Sequence, residues 1–481
     1  MVVPIQVAVF WYFGLYQAGE LPVGDLLRGP AHRYRPAAFL DDDPEKSGRE
    51  IHGVRVGAKL LVTSLQPRNL HITHSWGGGT SRWVEDFCRF DPYSENFVFE
   101  SLTFAECYGL SYRLKGGRTR SVAREWTLQR PIAEVVVAHN EYAALLNRVV
   151  EDLGIDHLYV SSVIGHSLDA YALDVPMTVV YHDYFPFCPA LNVYFGAICQ
   201  KCGRDELARC LRENPFSRIF RRHDEGYWTE VREAFFDRFE RRAAHHVAPI
   251  RGVVENLRRL DARFDRFDFS IIPHGVAFPK RNAFGGADDG RRLRMVVLGR
   301  LALGKGLETF RRIFDVLRCL ADLYFVGSGE GGEAFANRFG VHVTPSYDHA
   351  ALPEILSSIR PDVALLLSTV PETFSFTLSE LWAHNIPVVA TQVGSFAERI
   401  TPELDGFLVG GADEAIADQI VELDAHRCRL RRVADHLASR NVRDVGAEVD
   451  DYYKLQSGFA DALERRIESR LASDYEPPVS T

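Results

Sequence analysis

No stretch of the 481-residue chain approaches the eighteen or more consecutive apolar residues that a membrane-crossing helix needs. The start, Val2 to Tyr16, has no basic flank and contains Pro4 and Gln6, so it reads as a strand and not as a secretory leader. Positive charge is also short. Lys and Arg number 56 against 65 Asp and Glu, and the net charge of −9 argues against general nucleic-acid binding. Eight cysteines without a leader predict free thiols in a reducing cytoplasm. What is present, 46% hydrophobic and 25% charged residues, suits a soluble chain too long for one core, and predicts two or three domains.

The richest chemistry lies between residues 295 and 380. Met295-Val-Val-Leu298 is an apolar strand ending in Gly299-Arg300, and Lys305 follows on the same loop, so two cations sit at a strand's carboxyl edge. Farther on, in Pro371-Glu-Thr-Phe-Ser-Phe-Thr-Leu-Ser-Glu380, Glu372 precedes a predicted helix, Thr373 or Ser375 can cap it, and Glu380 falls inside. Backbone amides at such a start are free and carry the positive end of the helix dipole. A diphosphate held there, around Ser375, Phe376 and Thr377, and by Arg300 and Lys305 would have a sugar at one end and a nucleoside at the other. Each glutamate could then accept hydroxyls from one of them.

Upstream, Leu70-His-Ile-Thr-His-Ser75 reads as a strand that turns through Trp76-Gly-Gly-Gly79 into a helix from about Thr80, and Gly78 and Gly79 there let a ligand approach the backbone. Strands at Phe97–Phe99, Glu134–Ala138, Leu158–Val160 and Met177–Tyr181 alternate with helices such as Glu141–Leu153, which predicts a parallel sheet with ligands at its carboxyl ends. His182, directly after the last of these strands, should reach the cleft edge, though a histidine there, taken alone, is more often structural than catalytic. His166 reads as packing or capping. Further strands, Met295–Leu298, Leu323–Val326, Val363–Leu367 and Pro387–Ala390, build a second domain, where Gly327-Ser-Gly329 reads from the residues as a glycine turn between strand and helix. Cys199-Gln-Lys-Cys202 has zinc-knuckle spacing, and Cys188 and Cys210 could complete a structural tetrahedron, with packing as the alternative. Residues 214 to 246 interleave arginines and aromatics, as amphipathic helices with a solvated face do, or a surface that leans on anionic lipid.

In order along the chain, Gly299-Arg300, Lys305, the two glutamates with seven residues between them, Pro387-Val-Val-Ala390 and Asp405-Gly-Phe-Leu-Val409 resemble the retaining glycosyltransferases of family 4, over roughly residues 67 to 465. The resemblance implies an α/β chain of the GT-B fold, two Rossmann-like domains facing a cleft with a short N-terminal extension. It implies an acceptor-side domain at 67–272, a link near Ile272-Pro-His-Gly-Val276, a donor-binding domain at 273–445, a helix crossing back at 446–472 and a tail at 473–481. Leu455, Phe459, Leu463, Ile467 and Leu471 give that helix an apolar stripe. The implied activity is metal-independent transfer of a hexose from a nucleoside diphosphate sugar to a saccharide or lipid-linked acceptor. Surface polysaccharide assembly, in the cytoplasm or at the inner membrane face, is the implied setting. The implied catalytic set is His182, Glu372, Arg300 and Lys305. The implied donor-binding set is Gly78, Gly79, Gly299, Gly327, Ser375, Phe376, Thr377 and Glu380.

Members of that family usually carry Gly where Ser375 stands, and a side chain there narrows a phosphate's approach to the backbone. In the first 66 residues, the stretch Tyr34 to Val56 resembles part of the nucleotide-binding domain of polysaccharide-biosynthesis sugar dehydratases and epimerases. Only Gln17-Ala-Gly-Glu20 remains where their glycine turn would be, so the segment reads as a degenerate, nonbinding remnant. Asp41-Asp42-Asp43 reads as a solvated turn, with a metal-binding carboxylate cluster as the alternative. Two other function classes share these features: a nucleotide-sugar epimerase or hydrolase of the same fold, and a noncatalytic partner subunit.

Overall fold

The computed structural model describes residues 39–41, 50–51, 54–58 and 66–456, except 105–106, 223, 241 and 288–289. The chain divides into two compact units. The smaller holds residues 1–69, 92–95 and 456–481. Within it, Val54–Ala58 pairs in parallel with Phe39–Asp41 and antiparallel with Glu50–Ile51. Asp42 and Asp43, the glycine-poor stretch before them, and the apolar stripe beyond Leu455 lie outside the described residues.

Among its described residues the larger unit contains two main sheets and two small two-stranded ones. The first has eight strands: β1 (Arg68–His74), β2 (Glu95–Phe104), β3 (Cys107–Gly116), β4 (Val122–Thr127), β5 (His157–Val160), β6 (Met177–Val180), β7 (His245–Ala248) and β8 (Phe269–Ile271), in the order β8-β7-β6-β5-β1-β2-β3-β4. The strands β5 to β8 pair in parallel and are, in β5 and β6, buried at every position, as strands covered on both faces must be. One edge departs from the expected alternation. The predicted strand at Phe97–Phe99 is the middle of β2, which pairs antiparallel with β3, and β3 with β4. Phe104 faces Cys107 across the turn, a connection too short for a helical crossover. The predicted strand at 134–138 shrinks to Val135–Val136, which leaves the main sheet to pair with His166–Ser167.

The second sheet has β9 (Leu293–Leu298), β10 (Ala321–Val326), β11 (Val341–Thr344), β12 (Val363–Leu366), β13 (Val388–Thr391) and β14 (Phe407–Val409), all parallel, in the order β11-β10-β9-β12-β13-β14. The chain builds outward from β9, then returns to the other side of it. The switch point between β9 and β12 therefore opens a crevice at their carboxyl ends.

Helices follow the 3.6-residue period. In the helix Leu307–Leu320, Phe310, Ile313, Phe314 and Leu317 are buried at i, i+3, i+4 and i+7, each contributing about 1.5–3 kcal/mol of apolar burial. Four helices matter below: α1 (Gly78–Phe90), α2 (Glu225–Glu240), α3 (Phe376–Ala383) and α4 (Val445–Leu455). In α2 the aromatics Trp228, Phe235, Phe236 and Phe239 are core residues, so the mixed arginine and aromatic pattern is mainly packing. Tyr452 of α4 lies 5.4 Å from Trp83 and 5.5 Å from Phe87 of α1, so the last described helix packs on the first domain's opening helix. No helix among the described residues is long and apolar enough to cross a membrane.

Candidate active site

The loop after β9 starts at Gly299, whose φ of 95° suits glycine and whose added β-carbon would stand 3.2 Å from Thr377 Cγ2. That close passage brings the loop against the start of α3. Lys305 Nζ bonds Glu372 Oε1 across the switch point, and Ser368 Oγ donates to the same oxygen at 2.5 Å. Glu372 is 12% exposed and Lys305 is 49% exposed, so the carboxylate is the fixed member of the pair and the ammonium the movable one. Arg300 is exposed and has no hydrogen-bond partner among the described residues.

Ser375 caps α3 from the left-handed region, φ 66°, its Oγ accepting from the Leu378 amide at 3.4 Å and lying 3.0 Å from Thr377 Oγ1. Thr373, the other capping candidate, instead donates its hydroxyl to the carbonyl of His182 at 2.7 Å. Arg399 secures the loop from behind. It donates to the carbonyls of Phe374 and Ser375 and to Ser379 Oγ, with its guanidinium 3.8 Å over the Phe374 ring. Burial, and next the nearby Arg440, lower the Arg399 pKa to about 9. With those carbonyls turned to Arg399, the first amides of α3 remain without intrahelical acceptors, the arrangement that binds an anion.

Glu380 is buried inside α3, and its Oε1 lies 2.6 Å from Nε2 of His349, which stacks on Phe278 at 4.6 Å. Gly327 packs under Tyr347, where an added β-carbon would come within 2.5 Å of the ring. Its glycine is thus required by a ring of the protein itself.

Across the cleft, Gly77 and Gly78 both have positive φ, 78° and 73°, and an added β-carbon on Gly79 would stand 3.6 Å from the Phe376 ring. The glycine turn of the first domain therefore faces the start of α3. His182 is half-buried, its ring 4.9 Å from Trp83 and 5.3 Å from His274. Its Nε2 is buried with no hydrogen-bond partner among the described residues. Burial, then His274 and His74, drive its pKa well below the usual value, so the ring is neutral near pH 7. His166 is packed in the core, bonded to the Tyr142 hydroxyl at 2.9 Å and the Thr73 carbonyl at 2.6 Å.

Cys188, Cys199, Cys202 and Cys210 are free thiols lining one cavity of about 280 Å³. Among the described residues, no group of three or more His, Cys, Asp or Glu side chains is placed to hold a metal. Burial raises the Cys188 pKa to about 12 and that of Cys199 to about 11, so both are protonated at neutral pH.

Several residues that shape the site gave no sequence signal. Arg399, Ser368 and His349 act through partners adjacent only in the fold, and His274 showed only as part of the interdomain turn.

The fold is GT-B: two parallel-sheet α/β domains, as in several solved glycosyltransferase structures. Sucrose-phosphate synthase from Thermosynechococcus elongatus superposes with a TM-score of 0.57 at 14% identity, covering 82% of this chain and 100% of that one. HepE of Anabaena, in complex with UDP and glucose, gives 0.52 at 15%, covering 81% and 99%. A glycosyltransferase from Rickettsia africae ESF-5 gives 0.52 at 13%, covering 81% and 97%. At these identities the likeness establishes the fold. Residues 292–426 match the family described as glycosyl transferases group 1. No curated protein matches the chain.

Proposed function

We propose that this chain is a retaining glycosyltransferase that moves a sugar from a nucleoside diphosphate sugar to a saccharide or lipid-linked acceptor in surface polysaccharide assembly. The Lys305–Glu372 pair carries this reading: it bridges the switch point beside the open amides of α3, where a diphosphate would lie. The family match over residues 292–426 supports it, as does the UDP named for the Anabaena relative. On binding, the phosphates take Lys305 from Glu372 and gain Arg300, which frees the carboxylate for sugar hydroxyls. Glu380 takes the ribose, in exchange with His349.

In the transfer step the bond between the anomeric carbon and the phosphate oxygen breaks, and the acceptor oxygen bonds to the same face of that carbon. The acceptor's proton passes to a phosphate oxygen of the departing nucleoside diphosphate. Arg300, Lys305 and the α3 amides stabilise the charge that develops there, and neither a metal nor a covalent nucleophile is required. His182, opposite, contacts the donor sugar or acceptor. A lipid-linked acceptor would hold the enzyme at the inner membrane face. With the aromatics of α2 in the core, that contact falls to exposed Arg218, Ile219, Arg221 and Arg222.

A thermal-shift screen against UDP, GDP, dTDP and their sugars tests the reading. A ligand at one hundred times its Kd should stabilise the fold by about 2.7 kcal/mol. Acceptor-dependent product marks a transferase, acceptor-independent turnover an epimerase or hydrolase, and binding without turnover a noncatalytic subunit.

A further inference from the structure

We infer that Glu448 is a positioning residue that holds the two walls of the cleft in register through one buried carboxylate. The inference rests on the transferase reading. Glu448, 2% exposed on α4, accepts three donors: Trp83 Nε1 at 2.6 Å, His274 Nδ1 at 2.8 Å and the Gly275 amide at 2.7 Å. Each donor belongs to a different part of the cleft. Trp83 stands on α1, just after the glycine turn, and its ring contacts His182. The His274 ring lies parallel to Phe376, the first residue of α3, at 5.1 Å and 2°. Gly275 belongs to the link between domains and fits so closely against α4 that an added β-carbon would meet the Asp444 carbonyl at 2.3 Å.

Among the described residues three donors and no acceptor face this side chain, and a carboxylate matches them because it only accepts. A glutamine would offer one accepting oxygen and an amino group with nothing to receive it. A carboxylate opposite Nδ1 also fixes the His274 tautomer with its proton on Nδ1. The ring is thereby held flat against Phe376, and the start of α3 is held opposite Gly79. The Arg300, Lys305 and α3 side of the diphosphate site does not contain Glu448, so disturbing it should misalign the walls while leaving nucleotide binding intact.

The test uses the full chain labelled with ¹⁵N-histidine, with His274→Gln to assign the His274 signals. The wild type should show the Nδ1–H tautomer, and Glu448→Gln should shift it toward Nε2–H. In Glu448→Gln, kcat should fall at least tenfold for the nucleotide sugar the wild type turns over, with UDP affinity within threefold. Trp83→Phe removes one donor, and should lower kcat less while leaving the tautomer unchanged. A wild-type Nε2–H tautomer overturns the lock. Unchanged kcat in Glu448→Gln, or kcat and UDP affinity falling together, overturns the positioning role. Absence of any wild-type turnover instead overturns the functional reading, and is recorded by a different measurement.

Discussion

The two halves of the larger unit are built from different materials. The first buries His71, His74, His157, His166 and His246 among rings such as Trp83, Phe87, Tyr142 and Tyr159, each histidine placed by specific bonds or stacks. The second is a parallel sheet of aliphatic strands, with Val296, Leu323, Leu365 and Val389 fully buried, and among its described histidines buries only His274 and His384. An aliphatic core is indifferent to pH, whereas a core of neutral imidazoles holds only while those rings stay unprotonated. The proposed roles divide along the same line: the second half would supply fixed backbone amides and cations, the first half a wall set by side-chain geometry.

The largest effect that should separate the halves is acid stability. Burial, the leading cause in each case, lowers the pKa of His71, His74 and His166 to about 4 and of His157 and His246 to about 3. The unfolded chain, with values near 6.5, therefore binds protons first as the pH falls. Stability is complete above about pH 6.5 and is lost below it, by about 1.4 kcal/mol per histidine per pH unit. Asp183, raised to about 6 by burial, opposes the trend by taking up a proton in the folded state. The net loss from pH 7.5 to 5.5 should be on the order of 5 kcal/mol in urea unfolding. Hydrogen exchange should show residues 70–272 losing protection before residues 292–440. Equal loss in both halves would break the comparison.

Next in size are the cations. Arg300→Ala or Lys305→Ala should depress transfer about a hundredfold, or about 2.7 kcal/mol, and weaken UDP binding, because each removes a charge-assisted contact to the leaving group. His182→Ala, in the other wall, should lose transfer and keep UDP binding. If His182→Ala loses UDP binding while the fold is intact, the division of labour between the halves is wrong.

A finer division lies within the second half. Glu372, once Lys305 leaves it for the phosphates, would make contacts to the sugar that tighten as the ring flattens, whereas Glu380 would hold the ribose equally before and during reaction. Glu372→Ala should lower kcat about tenfold with little change in donor KM, and Glu380→Ala should mainly raise KM. Steady-state kinetics with the melting point of each unliganded mutant decides this. Equal kcat losses with an unstable Glu380→Ala protein would sink it.

How legible each half was in the sequence follows from the same physics. The gathering of Gly299, Lys305, Glu372, Ser375 and Glu380 at one strand end and helix start was readable because the anion site proposed there requires certain residue types at fixed local spacing. The parallel pairing of β9, β10, β12 and β13 followed from alternating strands and helices, whereas β11, β14 and the strand order did not show in the sequence. The first half resisted this reading. The antiparallel edge of β2 to β4 depends on a short turn, and the environment of His182 on Trp83 and His274, 99 residues before it and 92 after. Arg399 and Glu448 act on carbonyls and donors remote in sequence, and no local pattern marks such residues.

The smallest effect concerns Ser375, a residue of the proposed anion site in a costly backbone conformation. A non-glycine residue in the left-handed region costs about 1 kcal/mol or more, and Arg399 holds Ser375 there by its carbonyl. Ser375→Gly relieves that strain and loses a weak 3.4 Å cap, while its freer unfolded chain costs about 0.4–1 kcal/mol, so its stability should stay within about 0.5 kcal/mol of the wild type. Ser375→Ala keeps the strain and loses the cap, and should be destabilised by about 0.5–1 kcal/mol. The glycine variant should also bind UDP more tightly, by a few-fold, because a phosphate can then come closer to the Phe376 and Thr377 amides. If instead the hydroxyl matters through its contact with Thr377 Oγ1, the two variants should lose stability alike and neither should gain affinity. Melting points and UDP titrations of both variants separate the cases. A glycine variant less stable than the alanine variant would mean that the conformation at Ser375 is not the strained one described.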